Sequence, residues 1–182
     1  MSSKQLILNG SPNKDGFSMT VANAIFPNTI TLHAYDLTIA ACDDCKLCHH
    51  TLGCKYHDDI DQVLKHFKPC DHLIIVSPIY FGALTDQLLK LFNRFQMLFE
   101  AKFTHQKPLF NISQLTLIST CAAKEHSMFA GATLTRDILA SLFDSKQVHT
   151  LLLNNTDEID DILITYEKEI VKFKKSVNPW QD

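Results

Sequence analysis

Residues 73–82 read LIIVSPIYFG, a continuously apolar run that ends in a loop containing Pro and Gly. A strand with apolar residues on both faces is typical of the centre of a parallel sheet that helices cover on both sides. Four further short runs of apolar or β-branched residues predict strands over 5–9, 29–35, 115–120 and 148–153. We therefore expect a five-stranded sheet with the run over 73–77 as a central strand.

Segments with helical spacing of apolar residues alternate with these runs. They span 18–26, 59–68, 84–99, 129–143 and 159–173. Before the last of them, Asn155 with Glu158 three residues later resembles a capping box. The alternation predicts a doubly wound parallel α/β fold with right-handed crossovers. Because such sheets bind ligands outside the carboxyl ends of their strands, the loops after the strands are the candidate sites.

The composition indicates one globular domain. The chain has 182 residues, 46% of them hydrophobic, and a net charge of −3, which excludes a disordered chain and leaves no basic surface for nucleic acid or an anionic membrane. No apolar stretch reaches the ~20 residues of a membrane span, and the first residues do not resemble a signal peptide. We expect a cytoplasmic protein that binds neither nucleic acid nor membrane and keeps its cysteines reduced.

The loop after the first predicted strand reads NGSPNKDGFS, residues 9–18, and opens a helix. Backbone N–H groups at the start of a helix, together with hydroxyl side chains, form a site for a phosphate. The loop is not a Walker A motif, because Phe17 rather than Lys follows Gly16. An ordinary strand–helix turn is the alternative interpretation. The candidate phosphate contacts are Ser11, Asn13, Ser18, Met19 and Thr20.

The loop after the third predicted strand carries Tyr80 and Phe81 between Pro78 and Gly82. An aromatic pair at the end of a central strand is an unusual use of exposed apolar surface. A planar heteroaromatic ligand would explain it by stacking and edge contacts. The alternative is that both rings pack into the core or into an interface between subunits.

A cysteine-rich segment lies between the second and third predicted strands. Its spacing is C-x2-C-x2-C-x5-C, formed by Cys42, Cys45, Cys48 and Cys54. Such compact spacing brings thiolates around one metal or cluster. Three interpretations stay open: a metal cluster, a zinc site, and reduced thiols without a ligand in a long loop. The zinc interpretation adds nearby nitrogen donors from His49, His50 and His57.

Two stretches together, NGSPNKDGFSMT (9–20) and SPIYFGALTDQLLKLFNR (77–94), resemble the flavodoxin-like NAD(P)H-dependent FMN reductases. The resemblance implies a flavodoxin-like three-layer α/β/α sandwich with a parallel sheet in the order 2-1-3-4-5. It implies one FMN-binding domain over 1–182, with the Cys-rich segment as an insertion at about 40–57.

The same resemblance implies the roles of individual residues. The five candidates of the first loop would hold the FMN phosphate, and a third loop after the fourth strand would add further contacts. The residues bordering the isoalloxazine would be Pro78, Ile79, Tyr80, Phe81, Gly82, Thr120 and Cys121. The Cys motif resembles that of the iron–sulfur flavoproteins, a branch of the same family, and implies a 4Fe–4S cluster on Cys42, Cys45, Cys48 and Cys54.

The first functional hypothesis is an FMN-dependent oxidoreductase similar to flavin and quinone reductases. It would use NAD(P)H as co-substrate, pass electrons to a small molecule or a redox protein, and form a homodimer or homotetramer, as the resemblance implies. Flavin chemistry requires no side chain to act as acid or base, so we nominate no catalytic residue. The alternatives are an electron carrier without its own NAD(P)H chemistry and a module that senses zinc or redox state.

Overall fold

The computed structural model describes residues 4–177, so residues 1–3 and 178–182 of the predicted domain lie outside the described residues. Its strands are β1 (Gln5–Asn9), β2 (Ile30–His33), β3 (His72–Pro78), β4 (Gln114–Thr120) and β5 (Gln147–Leu153). All neighbouring strands pair in parallel, in the order β2-β1-β3-β4-β5. The predicted five-stranded sheet and its order are confirmed.

The helices cover both faces of this sheet. They are α1 (Phe17–Ile25), α2 (Leu47–His50), α3 (Ile60–Phe67), α4 (Asp86–Arg94), α5 (Gln96–Phe99), α6 (Ala130–Phe143), α7 (Ile162–Thr165) and α8 (Glu167–Val177). Buried residues of α1, α7 and α8 form one hydrophobic cluster, and those of α3, α4 and α6 form another. The result is the predicted three-layer sandwich. Within residues 4–177, no helix combines the length and the apolar character needed to cross a bilayer.

Strand β3 shows why the apolar run over 73–77 is continuous. Leu73 and Ile75 belong to one hydrophobic cluster, whereas Ile74 and Val76 belong to the other. Successive side chains of a strand point to opposite faces, so a strand between two helix layers needs apolar residues at every position. β3 is the middle strand and carries the loop over 78–82 from the centre of the sheet.

Two helix predictions differ from the structure. The helix predicted over 84–99 is interrupted at Phe95, whose amide donates to the Phe92 carbonyl at 3.0 Å as in a 3-10 turn, and a π-helical turn follows over Glu100–Thr104. The predicted cap at Asn155 is wrong, because this residue has a φ of 53°. Instead Asp161 accepts hydrogen bonds from the amides of Leu163 and Ile164, so the last helical segment begins at Ile162.

Candidate functional site

The loops after β1, β3 and β4 meet at the carboxyl edge of the sheet. The Thr85 hydroxyl, just before α4, donates to the Gly10 carbonyl at 2.7 Å. The Ile79 amide donates to the Thr120 carbonyl at 2.8 Å, and the Ser18 and Thr120 hydroxyls lie 2.6 Å apart. Each loop is therefore hydrogen-bonded to at least one of the other two, as expected from the doubly wound topology.

Gly10 allows the first loop to approach α4 closely. A Cβ atom at this position would lie 2.2 Å from Leu88 Cδ1 and 2.8 Å from the Thr85 hydroxyl oxygen. The Gly10 amide donates to the Val76 carbonyl at 2.7 Å, which fixes the exit of β1 beside β3. The absence of a side chain at Gly10 thus permits the close contact of the first loop with Thr85 and Leu88.

The start of α1 carries backbone donors with no partner. Gly16 is its N-cap and provides no side-chain cap, and no acidic residue lies in the first turn. Within the described part of the chain, the amides of Asn13, Phe17 and Ser18 donate no hydrogen bond. Free N–H groups at the positive end of a helix form an anion site. The predicted phosphate loop therefore has the backbone arrangement that a phosphate requires.

The predicted phosphate contacts are not equivalent in the structure. Ser11 and Ser18 are buried at the loop, and Asn13 is exposed. The amides of Met19 and Thr20 both donate to the Gly16 carbonyl, and the Met19 side chain belongs to the hydrophobic core. Met19 consequently offers an anion no free polar group, whereas Thr20 retains only its hydroxyl, 3.4 Å from the Asp15 carbonyl oxygen.

The loop after β3 is a tight turn with an exposed ring at its tip. Tyr80 and Ala83 exchange backbone hydrogen bonds of 2.9 and 3.1 Å, and between them Phe81 and Gly82 have φ values of 50° and 74°. Two successive positive φ angles are typical of a type I′ turn. Phe81 is fully exposed and Tyr80 is half exposed. The predicted aromatic pair therefore does not pack into the core of this chain.

The same turn presents two backbone donors. Among residues 4–177, the Phe81 and Gly82 amides find no acceptor, whereas the Gly82 carbonyl accepts from the Gly131 amide at 3.2 Å. That bond ties the turn to the start of α6. Pro78 and Ile79 lie at the base of the turn, and Ile79 is buried. Exposed rings and free amides on one turn suit the edge of a planar heteroaromatic ligand.

In the third loop, Thr120 and Cys121 have different surroundings. Both are buried, but the Thr120 hydroxyl meets Ser18 of the first loop. The Cys121 amide donates to the Leu153 carbonyl, and the Cys121 carbonyl accepts from the Thr156 amide. Thr120 therefore faces the other two loops, while the backbone of Cys121 is engaged with the end of β5.

Tyr35 and Asp86 form a polar pair beside these loops that sequence reasoning missed. The Tyr35 hydroxyl donates to Asp86 Oδ1 at 2.8 Å. Burial and then this carboxylate raise the pKa of Tyr35 to about 12, and Tyr80 lies near enough to add to the rise. Tyr35 follows β2, so its place after a strand was the available signal.

The four cysteines of the motif line one cavity. Cys42 and Cys45 are exposed, Cys48 and Cys54 are half-buried, and all four are free thiols. Within residues 4–177, no three His, Cys, Asp or Glu side chains form a ready metal site. Four thiols on one cavity nevertheless provide the donor set of an iron–sulfur cluster, once they are deprotonated.

The histidines of the segment are distributed unevenly. His49 lines the cavity and lies 3.4 Å from the buried carboxylate of Glu100. His57 instead lies 3.4 Å from Asp61, outside the cavity, and His50 is exposed at the end of α2. Burial, and then the charge of Glu100, raise the pKa of the Cys48 thiol. Only one of the three predicted nitrogen donors thus shares the cavity with the cysteines.

An ion pair at the base of the segment also escaped sequence reasoning. Arg94, at the end of α4, donates to Asp58 Oδ2 at 2.8 Å and to the Ala40 carbonyl at 2.9 Å. Asp58 accepts from the Ile60 amide, as its place before α3 suggests, and also from the Ala40 amide. Burial alone would raise the pKa of Asp58, but these hydrogen bonds outweigh it and lower the pKa. The sequence signal for this ion pair was the position of Arg94 three residues after Leu91, which places a charged residue on the apolar face of its helix.

Comparison with known proteins gives both a family and a set of similar folds. The profile of the NADPH-dependent FMN reductase family matches residues 3–153. An iron–sulfur flavoprotein of Methanocaldococcus jannaschii is 32% identical over 98 residues, which cover 50% of this chain and 51% of that protein. The chain thus spans about half the length of the curated relatives it matches.

Solved structures with low sequence identity share the fold along nearly the whole chain. The NAD(P)H:quinone oxidoreductase from Methanothermobacter marburgensis has a TM-score of 0.70 at 15% identity, covering 99% of this chain and 100% of that one. An FMN-dependent NADH-azoreductase from Bacillus anthracis, solved in complex with FMN, has a TM-score of 0.68 at 12% identity, with coverage of 99% and 100%.

Proposed function

Because this chain belongs to the NADPH-dependent FMN reductase family, we propose that it is an FMN-dependent NAD(P)H oxidoreductase that passes electrons from a nicotinamide to a small acceptor. The observation that carries the proposal is the meeting of three loops at the carboxyl edge of the sheet. One loop offers free amides at the start of a helix, and the next offers exposed rings with two free amides.

The residues of these loops divide into two groups by what they would bind. The amides of Asn13, Phe17 and Ser18, with the Ser11 hydroxyl, would hold the phosphate. The turn over 80–83 and Thr120 would border the ring, with the Phe81 and Gly82 amides as hydrogen-bond donors to its edge. When bound, FMN supplies the hydride-accepting ring system, so the chain's part is binding, orientation and electrostatics.

The experiment is anaerobic mixing of the FMN-loaded protein with NADPH or NADH, followed by flavin absorbance. We expect the flavin band to bleach with at least one nicotinamide. Bleaching with dithionite but with neither nicotinamide would favour the second candidate, an electron carrier without NAD(P)H chemistry. A protein that takes up no FMN from excess cofactor would refute both functions.

The cysteine cavity supports the iron–sulfur branch of the proposal. Cys42, Cys45, Cys48 and Cys54 would hold a 4Fe–4S cluster, which when bound supplies one-electron transfer. Two observations favour this over empty thiols: all four thiols line one cavity, and curated relatives are named iron–sulfur flavoproteins. Four thiols would also suit zinc, so it is the name of the curated relatives that favours iron.

Metal analysis of anaerobically purified protein tests this assignment. We expect about four iron atoms per chain in the wild type and their loss in Cys45→Ala. Cys70→Ala is the matched control, because Cys70 is a buried thiol outside the cavity. Zinc in place of iron, or iron that survives Cys45→Ala, would contradict the cluster.

We also propose that the chain forms a homodimer or homotetramer through the surface around the loops that follow β1, β3 and β4. Support comes from Phe81, which is fully exposed at the tip of its turn although its ring is apolar. A positive φ at a non-glycine residue is strained, so the turn holds this ring outward at some energetic cost. Light scattering tests the proposal: a monomeric protein at assay concentration would contradict it.

A further inference from the structure

Arg94 is a cation in an unusually buried position. Its side chain is only 1% exposed, and it lies on the stripe of α4 that also buries Leu88 and Leu91. Removing a charge from water is expensive unless partners compensate for the lost hydration. The partners of Arg94 therefore indicate what the burial achieves.

Three of those partners hold the guanidinium in one orientation. Nη1 donates to Asp58 Oδ2 and to the Ala40 carbonyl, at 2.8 and 2.9 Å, and Nη2 donates to the Tyr56 carbonyl at 3.2 Å. The guanidinium also stacks on the Tyr56 ring, 5.1 Å from its centroid. Because the five N–H groups form a rigid planar fork, these contacts also fix the direction of the remaining donor, Nε–H.

That remaining donor has no partner. Among the side chains of residues 4–177, Nε of Arg94 is the one buried nitrogen or oxygen atom without a hydrogen bond. An unsatisfied buried donor is rare and calls for an explanation such as an absent ion or ligand. Arg94 lines the same cavity as the four cysteines, and Cys54 is close enough for its thiol to interact with the guanidinium.

We propose that Arg94 is a positioning residue whose Nε–H donates a hydrogen bond to the Cys54 sulfur when the four cysteines hold the cluster, and that it raises the reduction potential of that cluster. The proposal rests on the cluster assigned under the proposed function. Reduction adds a negative charge to the cluster, and a fixed cationic donor at a ligand sulfur stabilises the reduced form more than the oxidised form.

The test compares cluster midpoint potentials in variants that do not leave Asp58 as an unpaired carboxylate. Asp58→Asn keeps Arg94, and the double variant Asp58→Asn with Arg94→Gln replaces the ion pair by two neutral amides. We expect the double variant to bind the added electron about tenfold less tightly than Asp58→Asn, as the loss of a charged hydrogen bond implies. Tenfold corresponds to a potential about 59 mV lower for a one-electron couple.

Arg136→Gln is the matched control, because Arg136 on α6 pairs with Asp137 and does not line the cavity. The cluster potential of Arg136→Gln should equal that of the wild type. Should the double variant not fold, Arg94→Lys keeps the charge opposite Asp58 but removes Nε–H, and its potential should also fall. Equal cluster potentials in Asp58→Asn and the double variant, or in Arg94→Lys and wild type, would refute the proposed role of Arg94. Neither result would contradict the cluster assignment. A wild type without iron would overturn the cluster and this role together.

Discussion

Replacement of Gly10 by Ala tests the contact that joins the first loop to α4. The added Cβ would lie 2.2 Å from Leu88 Cδ1, 2.5 Å from Leu88 Cγ and 2.8 Å from the Thr85 hydroxyl oxygen. Carbon atoms in contact are normally about 3.5 Å apart, so a shift of roughly 1 Å is needed. Leu88 is fully buried and cannot move into solvent. We therefore expect the loop to move and its hydrogen bond to Thr85 to lengthen.

We expect Gly10→Ala to lower the free energy of unfolding by about 1–3 kcal/mol, the usual cost of overpacking. Displacement of the loop should also weaken FMN binding by about tenfold if it removes roughly 1.4 kcal/mol of binding energy. Urea unfolding measures the first quantity, and quenching of FMN fluorescence on titration measures the second.

Two variants serve as controls for this experiment. Gly16→Ala adds a methyl group to the same loop, but its nearest atoms are at 3.2 and 3.3 Å, so the loss of stability should be smaller. Leu88→Ala opens space for the new methyl group, so the losses of Gly10→Ala and Leu88→Ala should be less than additive. A Gly10→Ala protein with wild-type stability and FMN affinity would refute the reasoning.

Three further variants test other elements. Thr120→Val removes the buried hydrogen bond to Ser18 and should cost about 1–3 kcal/mol of stability in urea unfolding, because the Ser18 hydroxyl loses its partner. Burial, and then the charge of His149, lower the pKa of His72 to about 4 in the folded protein, whereas the pKa of an unfolded histidine is about 6.5. Because the unfolded chain takes up the proton first, the free energy of unfolding should fall by roughly 3 kcal/mol as the pH drops from about 6.5 to about 4. His72→Gln should remove this pH dependence. Asp161→Ala should cost about 1 kcal/mol by removing the N-cap of α7, visible as faster amide exchange at Leu163.

Each of these variants has an outcome that contradicts its premise. Thr120→Val with unchanged stability would mean that the hydroxyl pair does not hold the loops together. An equally steep loss of stability in His72→Gln at low pH would assign the effect to other groups. Unchanged amide exchange at Leu163 in Asp161→Ala would mean that the Asp161 side chain does not stabilise the start of α7.

The sheet and the loops at its carboxyl edge could be predicted because their signals are local and periodic. The run over 73–77 needs apolar residues on both faces, and β3 indeed contributes to both hydrophobic clusters. The loops over 9–18 and 77–82 follow strands whose carboxyl ends meet in this topology. Their closeness in space therefore follows from strand order rather than from any feature of the loops themselves.

The remaining features depend on contacts between distant parts of the chain. The break at Phe95 leaves the apolar spacing of the helix intact, so periodicity does not reveal it. The pairing of Arg94 with Asp58, 36 residues earlier, appears in sequence only as a charge on an apolar stripe. Asp161 was overlooked because Asn155 and Glu158 have the spacing of a capping box, although the positive φ of Asn155 prevents that role.

Arg94 joins the two ends of the Cys-rich segment through hydrogen bonds. Its guanidinium binds the carbonyls of both Ala40 and Tyr56. The fifteen residues between them, 41–55, therefore form a loop whose two ends are held together. The entropic cost of closing such a loop rises only slowly with its length. We therefore expect insertions or deletions within 41–55 to cost little stability and to leave the three loops at the carboxyl edge of the sheet in place.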